Sequence, residues 1–180
     1  MASSGFQFPT FFGYPPYFTL QPVKDSREKQ IGLWHDLIFS YCKHHKVYVI
    51  PALATERFPL FENKDINRQL NQEAINTILS AAVTAGRAEW LDTSKQRCIV
   101  YWRSLEDWAE LLYSFARSTG LSDVVMTVEE LSSGIETKGT DLEGVDKELL
   151  VRAVGQLEKT DRARLFKGEA GDDDGVKFFT

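Results

Sequence analysis

The sequence of 180 residues predicts a mixed α and β fold (α+β) of two tandem winged-helix domains, each with three helices and a β-hairpin wing. Three observations support this fold class: a repeat inside the chain, helical spacing of apolar residues in both copies, and a hairpin pattern at the end of each copy. The expected boundaries are 1–22 for an arm rich in proline and aromatic residues, 23–103 for the first domain and 104–180 for the second.

The internal repeat is found when the sequence is shifted against itself. At an offset of 74 residues, Trp34 coincides with Trp108, and the apolar positions around the two tryptophans also match. At an offset of 75, residues 73–91 align with 148–166 without a gap. Two matches at nearly the same offset indicate a duplicated domain.

The first copy reads as helix, strand, helix, helix and hairpin. Asp25 and Glu28 form a D-x-x-E start signal, and apolar residues then follow at helical spacing around Trp34. Gly86 is a favoured residue just after a helix, and a polar run between two later strands is typical of a wing. The predicted elements after the first helix are a strand at 47–50, a second helix at 64–70, a third helix at 71–86, and strands at 89–91 and 98–102.

The second copy repeats this order. Ser104 with Asp107 forms the start signal of its first helix, and Thr127 with Glu130 predicts a capping box for its second helix. The segment 134–144 is polar and glycine-rich, which is typical of a loop. The remaining predicted elements are a strand at 124–126, a third helix at 146–160, and wing strands at 163–167 and 175–179.

Charge divides unevenly between the two halves. Residues 1–102 contain 11 Lys and Arg against 9 Asp and Glu, whereas residues 103–180 contain 10 against 17. The halves therefore carry formal charges of +2 and −7. An acidic half attracts basic partners and is repelled by phosphate backbones, but a charge run is also typical of a solvated face, and both interpretations stay open.

The cysteine count and the apolar runs indicate the compartment. Residues 1–5 lack the basic cluster and apolar run of a signal peptide, and no stretch approaches the roughly 18 apolar residues that span a bilayer. Only Cys42 and Cys98 occur, so no disulfide framework is expected. We expect a cytosolic protein without direct membrane insertion.

Nucleic-acid binding and catalysis are both disfavoured by the residues. A winged helix commonly places its third helix in the DNA major groove, but residues 72–85 contain no Lys or Arg. A winged-helix nucleic-acid-binding transcription factor remains the alternative, supported by the basic residues of the first wing. Gly139 and Gly144 have P-loop spacing, but Val145 and Asp146 follow where Lys and Ser or Thr are needed. We expect no enzyme activity and no cofactor.

Two metal-site hypotheses are weak. His35, Cys42 and His45 lie along one side of the predicted first helix, but no fourth zinc ligand is indicated. The run from Asp172 to Gly175 lacks the ligand spacing of a calcium loop and is more typical of a solvated wing tip. We expect no bound metal.

The N-terminal arm holds seven of the chain's 22 aromatic residues within its first 20 positions. Interleaved prolines restrict it to extended or polyproline-like backbone, so it has no periodic face on which to form a helix. Either the rings fold back over the domain's own core, or they insert into a groove of a partner subunit, where buried aromatics supply much of the binding energy. The partner interpretation is favoured. The aromatic residues are Phe6, Phe8, Phe11, Phe12, Tyr14, Tyr17 and Phe18.

Several segments together resemble a known family. They are 15–22 (Pro-Pro-Tyr-Phe-Thr-Leu-Gln-Pro), Arg27-x-x-Gln30-x-x-x-Trp34, 59–63, Glu89-Trp90-Leu91-Asp92, Trp102-Arg103 and Gly175-Val176-Lys177-Phe178-Phe179. In this combination, which covers nearly the whole chain, the sequence is similar to a subunit of the ESCRT-II complex.

The resemblance implies a non-catalytic adaptor in the sorting of ubiquitinated cargo into multivesicular bodies, cytoplasmic and recruited to endosomal membranes. Two copies would attach to vacuolar protein sorting-associated proteins 22 and 36. The docking residues implied are Pro15, Pro16, Tyr17 and Phe18, with Phe11 and Phe12 as a weaker extension. Tyr17 stands where the family is expected to have Phe.

The resemblance also implies a role for the second domain, which in the family recruits and activates subunit 20 of ESCRT-III. No short motif transfers to this sequence for that contact. The charge of −7 motivates a separate hypothesis, in which acidic groups such as Glu129 and Glu130 meet a basic helix of that partner.

Overall fold

The computed structural model describes residues 5–169 and 173–180. The chain divides between Trp102 and Arg103 into two compact units. Across the described residues, no helix is both long enough and apolar enough to cross a membrane.

The first unit contains two α-helices and five short strands. A three-stranded antiparallel sheet has the order β1-β5-β4, and β2 and β3 form a separate hairpin. Short 3-10 turns cover much of the remaining chain. The elements are α1 (Lys24–His45), β1 (Val49–Pro51), β2 (Glu62–Asn63), β3 (Arg68–Gln69), α2 (Gln72–Thr84), β4 (Ala88–Trp90) and β5 (Arg97–Val100).

Helix α1 forms where the apolar spacing predicts it, because Trp34, Leu37 and Ile38 are all buried on one side. It ends at Lys46, whose positive φ of 52° lets its N–H bond to the carbonyl oxygen of Cys42. The D-x-x-E start signal was wrong. The residue that precedes the helix is Val23, which makes no side-chain cap, and Asp25 lies inside the first turn.

The predicted second helix at 64–70 is also wrong. Lys64–Ile66 is one 3-10 turn, started by the Asn63 side chain, which accepts a hydrogen bond from the Asp65 N–H. Asn67 then has a positive φ of 51°, which no α-helix tolerates. The chain turns back at this point, so that Arg68 pairs with Asn63 in the β2–β3 hairpin.

The second unit contains three α-helices and one antiparallel sheet. The sheet has the order β6-β8-β7, and its last two strands form the wing. Part of the wing loop, including Asp172, lies outside the described residues. The elements are α3 (Leu105–Ser118), β6 (Val125–Thr127), α4 (Val128–Ser133), α5 (Lys147–Glu158), β7 (Ala163–Phe166) and β8 (Gly175–Phe178).

Side-chain caps start each α-helix described in the second unit. Ser104 accepts a hydrogen bond from the Asp107 N–H, as its start signal predicted. Thr127 and Glu130 form the predicted capping box of α4. Asp146 caps α5 by accepting a hydrogen bond from the Glu148 N–H.

The predicted class, a mixed α and β fold of two winged-helix domains, is confirmed. Both units pack helices against a three-stranded antiparallel sheet that includes a hairpin wing. The count of three helices per domain holds in the second unit only. In the first unit a 3-10 turn and a small hairpin occupy the place of the middle helix.

Candidate partner-docking site

The arm places three of its rings in the core of its own domain. Phe11, Phe12 and Phe18 are 8%, 9% and 3% exposed. The centroids of the Phe11 and Phe18 rings lie 5.7 and 5.4 Å from that of Trp34, both in edge-to-face geometry. These rings cover the core of their own domain, as the alternative interpretation of the arm expected. In this fold their faces are in contact with other residues of the same chain.

The arm backbone is fixed by two polar side chains of α1. Gln30 is 4% exposed, and its amide nitrogen lies 2.8 Å from the carbonyl oxygen of Thr19, 3.1 Å from that of Tyr17 and 3.3 Å from that of Pro16. The Trp34 indole N–H donates to the Tyr17 carbonyl at 3.0 Å. Because these donors are buried, they hold one conformation of the arm.

The Gln30 side chain also accepts from the arm. Its Oε1 atom lies 3.0 Å from the Gln21 backbone nitrogen, which donates to it. Nearer the N-terminus of the arm, the Asn63 side-chain amide donates to the Phe12 carbonyl at 2.7 Å. Side chains from two separate parts of the first unit therefore bind the backbone of the arm.

One segment of the arm remains open to solvent. Pro15–Phe18 forms a 3-10 turn, in which Pro15 and Pro16 are exposed and Tyr17 is half-buried. Tyr14 precedes the turn and is 52% exposed. Next to the turn lies a cleft of about 370 Å³ between the arm and α1. The cleft is lined by Pro16, Tyr17, Gln21, Ser26, Lys29, Gln30 and Leu33.

The first rings of the arm pack at the other end of α1. Phe6 contacts Tyr41 edge to face, with centroids 5.3 Å apart, and Phe8 stacks on Phe12 at 4.4 Å. Phe8 keeps 43% of its surface exposed. The whole described arm therefore follows α1, and its exposed part centres on Tyr14–Tyr17.

Glu129 and Glu130, the acidic residues singled out from the sequence, both have partners within the chain. Glu130 Oε2 accepts from the Thr127 N–H at 2.8 Å in the capping box. Glu129 forms an ion pair with Lys147 and accepts from the Ser133 hydroxyl at 2.9 Å. The hydrogen bond from Lys147, with help from that of Ser133, lowers the pKa of the Glu129 carboxyl. Both side chains organise the start of α4.

The three residues of the zinc hypothesis point to different surroundings. His35 Nε2 lies 2.8 Å from the Ile78 carbonyl oxygen, and Cys42 is fully buried. Burial raises the pKa of the Cys42 thiol to about 12, so the thiolate that binds zinc is scarce. Among residues 5–169 and 173–180, no group of three His, Cys, Asp or Glu side chains could hold a metal ion.

The third helices offer little positive charge to a phosphate backbone. Helix α2 contains no Lys or Arg. In α5, Lys147 pairs with Glu129 and with Asp173, and Arg152 pairs with Glu148. Because these cations already have carboxylate partners, α5 lacks the free charge that duplex DNA requires.

In the sequence, Gln30 is visible only as part of a motif, and its hydrogen bonds to the arm were not predicted. In the part of the chain that the structure describes, Gln30 and Thr137 are the buried polar residues. A usable signal was its position, one helical turn before Trp34 on the apolar side of α1, where a glutamine needs polar partners. The partners themselves, carbonyl groups of the arm, carry no sequence signal.

Comparisons with known proteins agree on one family. The family model described as ESCRT-II complex subunit matches residues 11–146. Vacuolar protein sorting-associated protein 25 of Arabidopsis thaliana is 53% identical over 96% of both chains, and its counterpart of Danio rerio is 37% identical over 97% of this chain and 99% of that protein.

Solved structures support the same assignment. The crystal structure of subunit VPS25 of the endosomal trafficking complex ESCRT-II matches with a TM-score of 0.83 and 30% identity, over 94% of this chain and 97% of that one. A chain of the endosomal complex ESCRT-II (VPS22/VPS25/VPS36) matches with a TM-score of 0.81 and 29% identity, over 94% and 98%. The protein described here belongs to the ESCRT-II family of complex subunits.

Proposed function

We propose that the chain is a non-catalytic adaptor that links the ESCRT-II core to ESCRT-III in the sorting of ubiquitinated cargo into multivesicular bodies. In this proposal it acts in the cytoplasm and is recruited to endosomal membranes. Its first unit binds the counterparts of VPS22 and VPS36, the other subunits named with the similar structure.

The observation that carries the proposal is the fixed and largely exposed segment Tyr14–Tyr17, which overlaps the 3-10 turn Pro15–Phe18. Gln30 and Trp34 bind its carbonyl groups from inside the domain, so its side chains face outward in one arrangement. Binding by a pre-ordered segment loses less conformational entropy than binding by a flexible one. Proline and tyrosine also present apolar surface with few rotatable bonds, which suits them to docking.

The docking residues in this proposal are the exposed part of the predicted motif. Pro15, Pro16 and Tyr17 contact the partner, and Tyr14 extends the surface. Phe11, Phe12 and Phe18 act indirectly: their rings pack with Trp34 and fix the base of the turn. This division differs from the expectation that every ring of the motif enters the partner.

A double substitution tests this surface. Pro16→Ala with Tyr17→Ala removes one exposed and one half-buried side chain of the turn, so we expect co-purification with subunits 22 and 36 to fall at least about tenfold while the circular dichroism spectrum stays unchanged. Pro59→Ala, an exposed proline in a different 3-10 turn of the same unit, is the matched control and should assemble normally. Unchanged assembly of the double variant would refute the docking surface.

The second unit is proposed to bind and activate subunit 20 of ESCRT-III. Its formal charge of −7 supports attraction of a basic partner. Because Glu129 and Glu130 are held by Lys147 and Thr127, they contribute to the negative field of the surface and not as free contact groups. Binding of the full chain to subunit 20 should weaken as salt rises. A salt-independent affinity would favour apolar docking.

A further inference from the structure

The outer face of the second sheet combines apolar and basic side chains. In the strand register, Lys177 lies opposite both Val125 and Arg164, and Gly175 lies opposite Phe166. Directly opposed residues, and residues two apart on one strand, project from the same side of a sheet. Val125, Arg164, Phe166, Gly175 and Lys177 therefore share one side, here named the outer sheet face.

Burial confirms which side this is. Met126, Val176 and Phe178 alternate with the residues of the outer sheet face and are 7%, 0% and 0% exposed. By contrast, Val125 is 59% exposed and Phe166 is 44% exposed. The closing Gly-Val-Lys-Phe-Phe segment thus sends its Val and first Phe into the core and presents Gly175 and Lys177 outward.

Gly175 lies between two apolar side chains of the outer sheet face. A Cβ atom at this position would lie 3.2 Å from Val125 Cγ1 and 3.8 Å from Phe166 Cβ. Because a contact of 3.2 Å is tighter than a Cβ atom normally makes, the two apolar neighbours leave little free space over Gly175. Val125, Gly175 and Phe166 therefore form a continuous apolar strip.

Two basic side chains, Arg164 and Lys177, lie beside this apolar strip, in contrast to the −7 of the whole half. Arg164 is exposed, and the ion pairs found within the described residues do not include it. Lys177 Nζ lies 3.8 Å from Asp123 Oδ1 and 5.6 Å from the centroid of the Phe179 ring, and a partly exposed ion pair at that distance contributes little. The nearby Lys167 is already paired with Asp174 at 2.9 Å.

We propose that the outer sheet face is a docking surface for an acidic amphipathic segment of a protein partner. The segment packs apolar side chains on the exposed Val125 and Phe166 and directs carboxylates to Arg164 and Lys177. An exposed apolar strip with charges at its rim is the composition of an interaction site. This surface is independent of the docking turn in the first unit and selects the opposite charge from the basic partner proposed for the second unit.

The test uses the full chain labelled with ¹⁵N and a short synthetic helical peptide with Leu on one side and Glu on the other. We expect chemical-shift changes centred on the outer sheet face. The double variant Arg164→Glu with Lys177→Glu should bind about tenfold more weakly. The same variant should gain affinity for a matched peptide in which every Glu is replaced by Lys.

A control variant with the same change of charge separates this surface from the overall field. Lys138→Glu with Lys159→Glu alters two exposed lysines of the same unit and should bind the acidic peptide within about twofold of the original chain. Val125→Ala, which removes exposed apolar surface from the outer sheet face, should weaken binding about threefold.

Three results would overturn the proposal. The first is a set of shift changes that lie away from the outer sheet face. The second is equal binding of the acidic and basic peptides. The third is a response of the outer sheet face to a short DNA duplex and not to the acidic peptide, which would assign the surface to nucleic acid.

Discussion

The two units place equivalent tryptophans in different surroundings. Trp34 is fully buried, and its indole N–H is bound by the carbonyl of Tyr17 in the arm. Trp108, at the matching position of the repeat, is 2% exposed, and the Arg103 guanidinium lies 4.7 Å above its ring. The tryptophan at this position is therefore covered by the arm in the first unit, and it is contacted by the Arg103 guanidinium in the second unit.

This difference leaves the two units with different exposed surfaces. The first unit uses three rings of its arm to close the core, which fixes the adjoining turn as an exposed motif. The second unit closes its core with three capped helices and keeps the outer face of its sheet open. The following predictions test that contrast, from the largest expected effect to the smallest.

The largest effect is expected for Trp34→Ala. The substitution removes a buried ring in contact with Phe11 and Phe18, which should cost about 3–5 kcal/mol of unfolding free energy. Hydrogen exchange should show that arm amides lose protection. Trp108→Ala should cost a similar amount but leave the arm protected. An arm that stays protected in the Trp34 variant would break the comparison.

Gln30→Leu should release the arm at a smaller cost. Three carbonyl groups of the arm each lose one donor and the Gln21 N–H loses its acceptor, which should lower the unfolding free energy by about 1–3 kcal/mol. Amides 17–21 should exchange faster, and partner affinity should fall with them. Gln72→Leu is the matched control, because Gln72 bonds to Ala52 and Ala54 in the same unit, away from the arm. It should lower stability without changing exchange in the arm.

Loss of a helix-start side chain should affect the two units differently, by about 0.5–0.7 kcal/mol of unfolding free energy. Ser104→Ala removes the cap of α3 and should cost about 1 kcal/mol. Asp25→Ala at the equivalent end of α1 removes only a charge near the helix dipole and should cost about 0.3–0.5 kcal/mol. Denaturant unfolding curves measure both. Equal losses would mean that Asp25 caps α1 in solution.

Alkaline pH should destabilise the first unit alone, by less than about 1 kcal/mol per thiol up to pH 9. Burial raises the pKa of both Cys42 and Cys98 to about 12. Because the folded pKa exceeds the unfolded value near 8.5, this stability is complete below that pH and is lost as pH rises toward 12. Amide hydrogen exchange in each unit at pH 8 and pH 9, corrected for the intrinsic exchange rate at each pH, provides the test. The Cys42→Ala and Cys98→Ala double variant should lose this pH dependence.

Local signals in the sequence were sufficient for most elements. The capping box at Thr127 and Glu130 formed as predicted, because its four residues decide it. The prediction of a helix at 64–70 failed because Asn67 adopts a positive φ and Arg68 pairs across the hairpin with Asn63. Whether this segment forms a helix or a hairpin depends on the strand with which it pairs, and helix propensity does not take that strand into account.

The proposed docking site was only partly predictable. The prolines and rings at 15–18 are visible in the sequence, and so is their lack of helical periodicity. Whether such rings face inward or outward depends on the space left by the domain core, which no local pattern records. The role of Gln30 likewise depends on carbonyl groups 11 to 14 residues away.

The sequence by itself determined the duplication, the helix and strand order of the second unit, the wings and the charge difference, because each depends on neighbouring residues or on simple composition. Only the tertiary structure decided that Phe11, Phe12 and Phe18 complete the first core while Pro15, Pro16 and Tyr17 stay accessible. It also decided that Val125 and Phe166 meet across Gly175. The physical reason is the same in each case: packing joins residues that are distant in the chain, and their side chains compete for one limited interior.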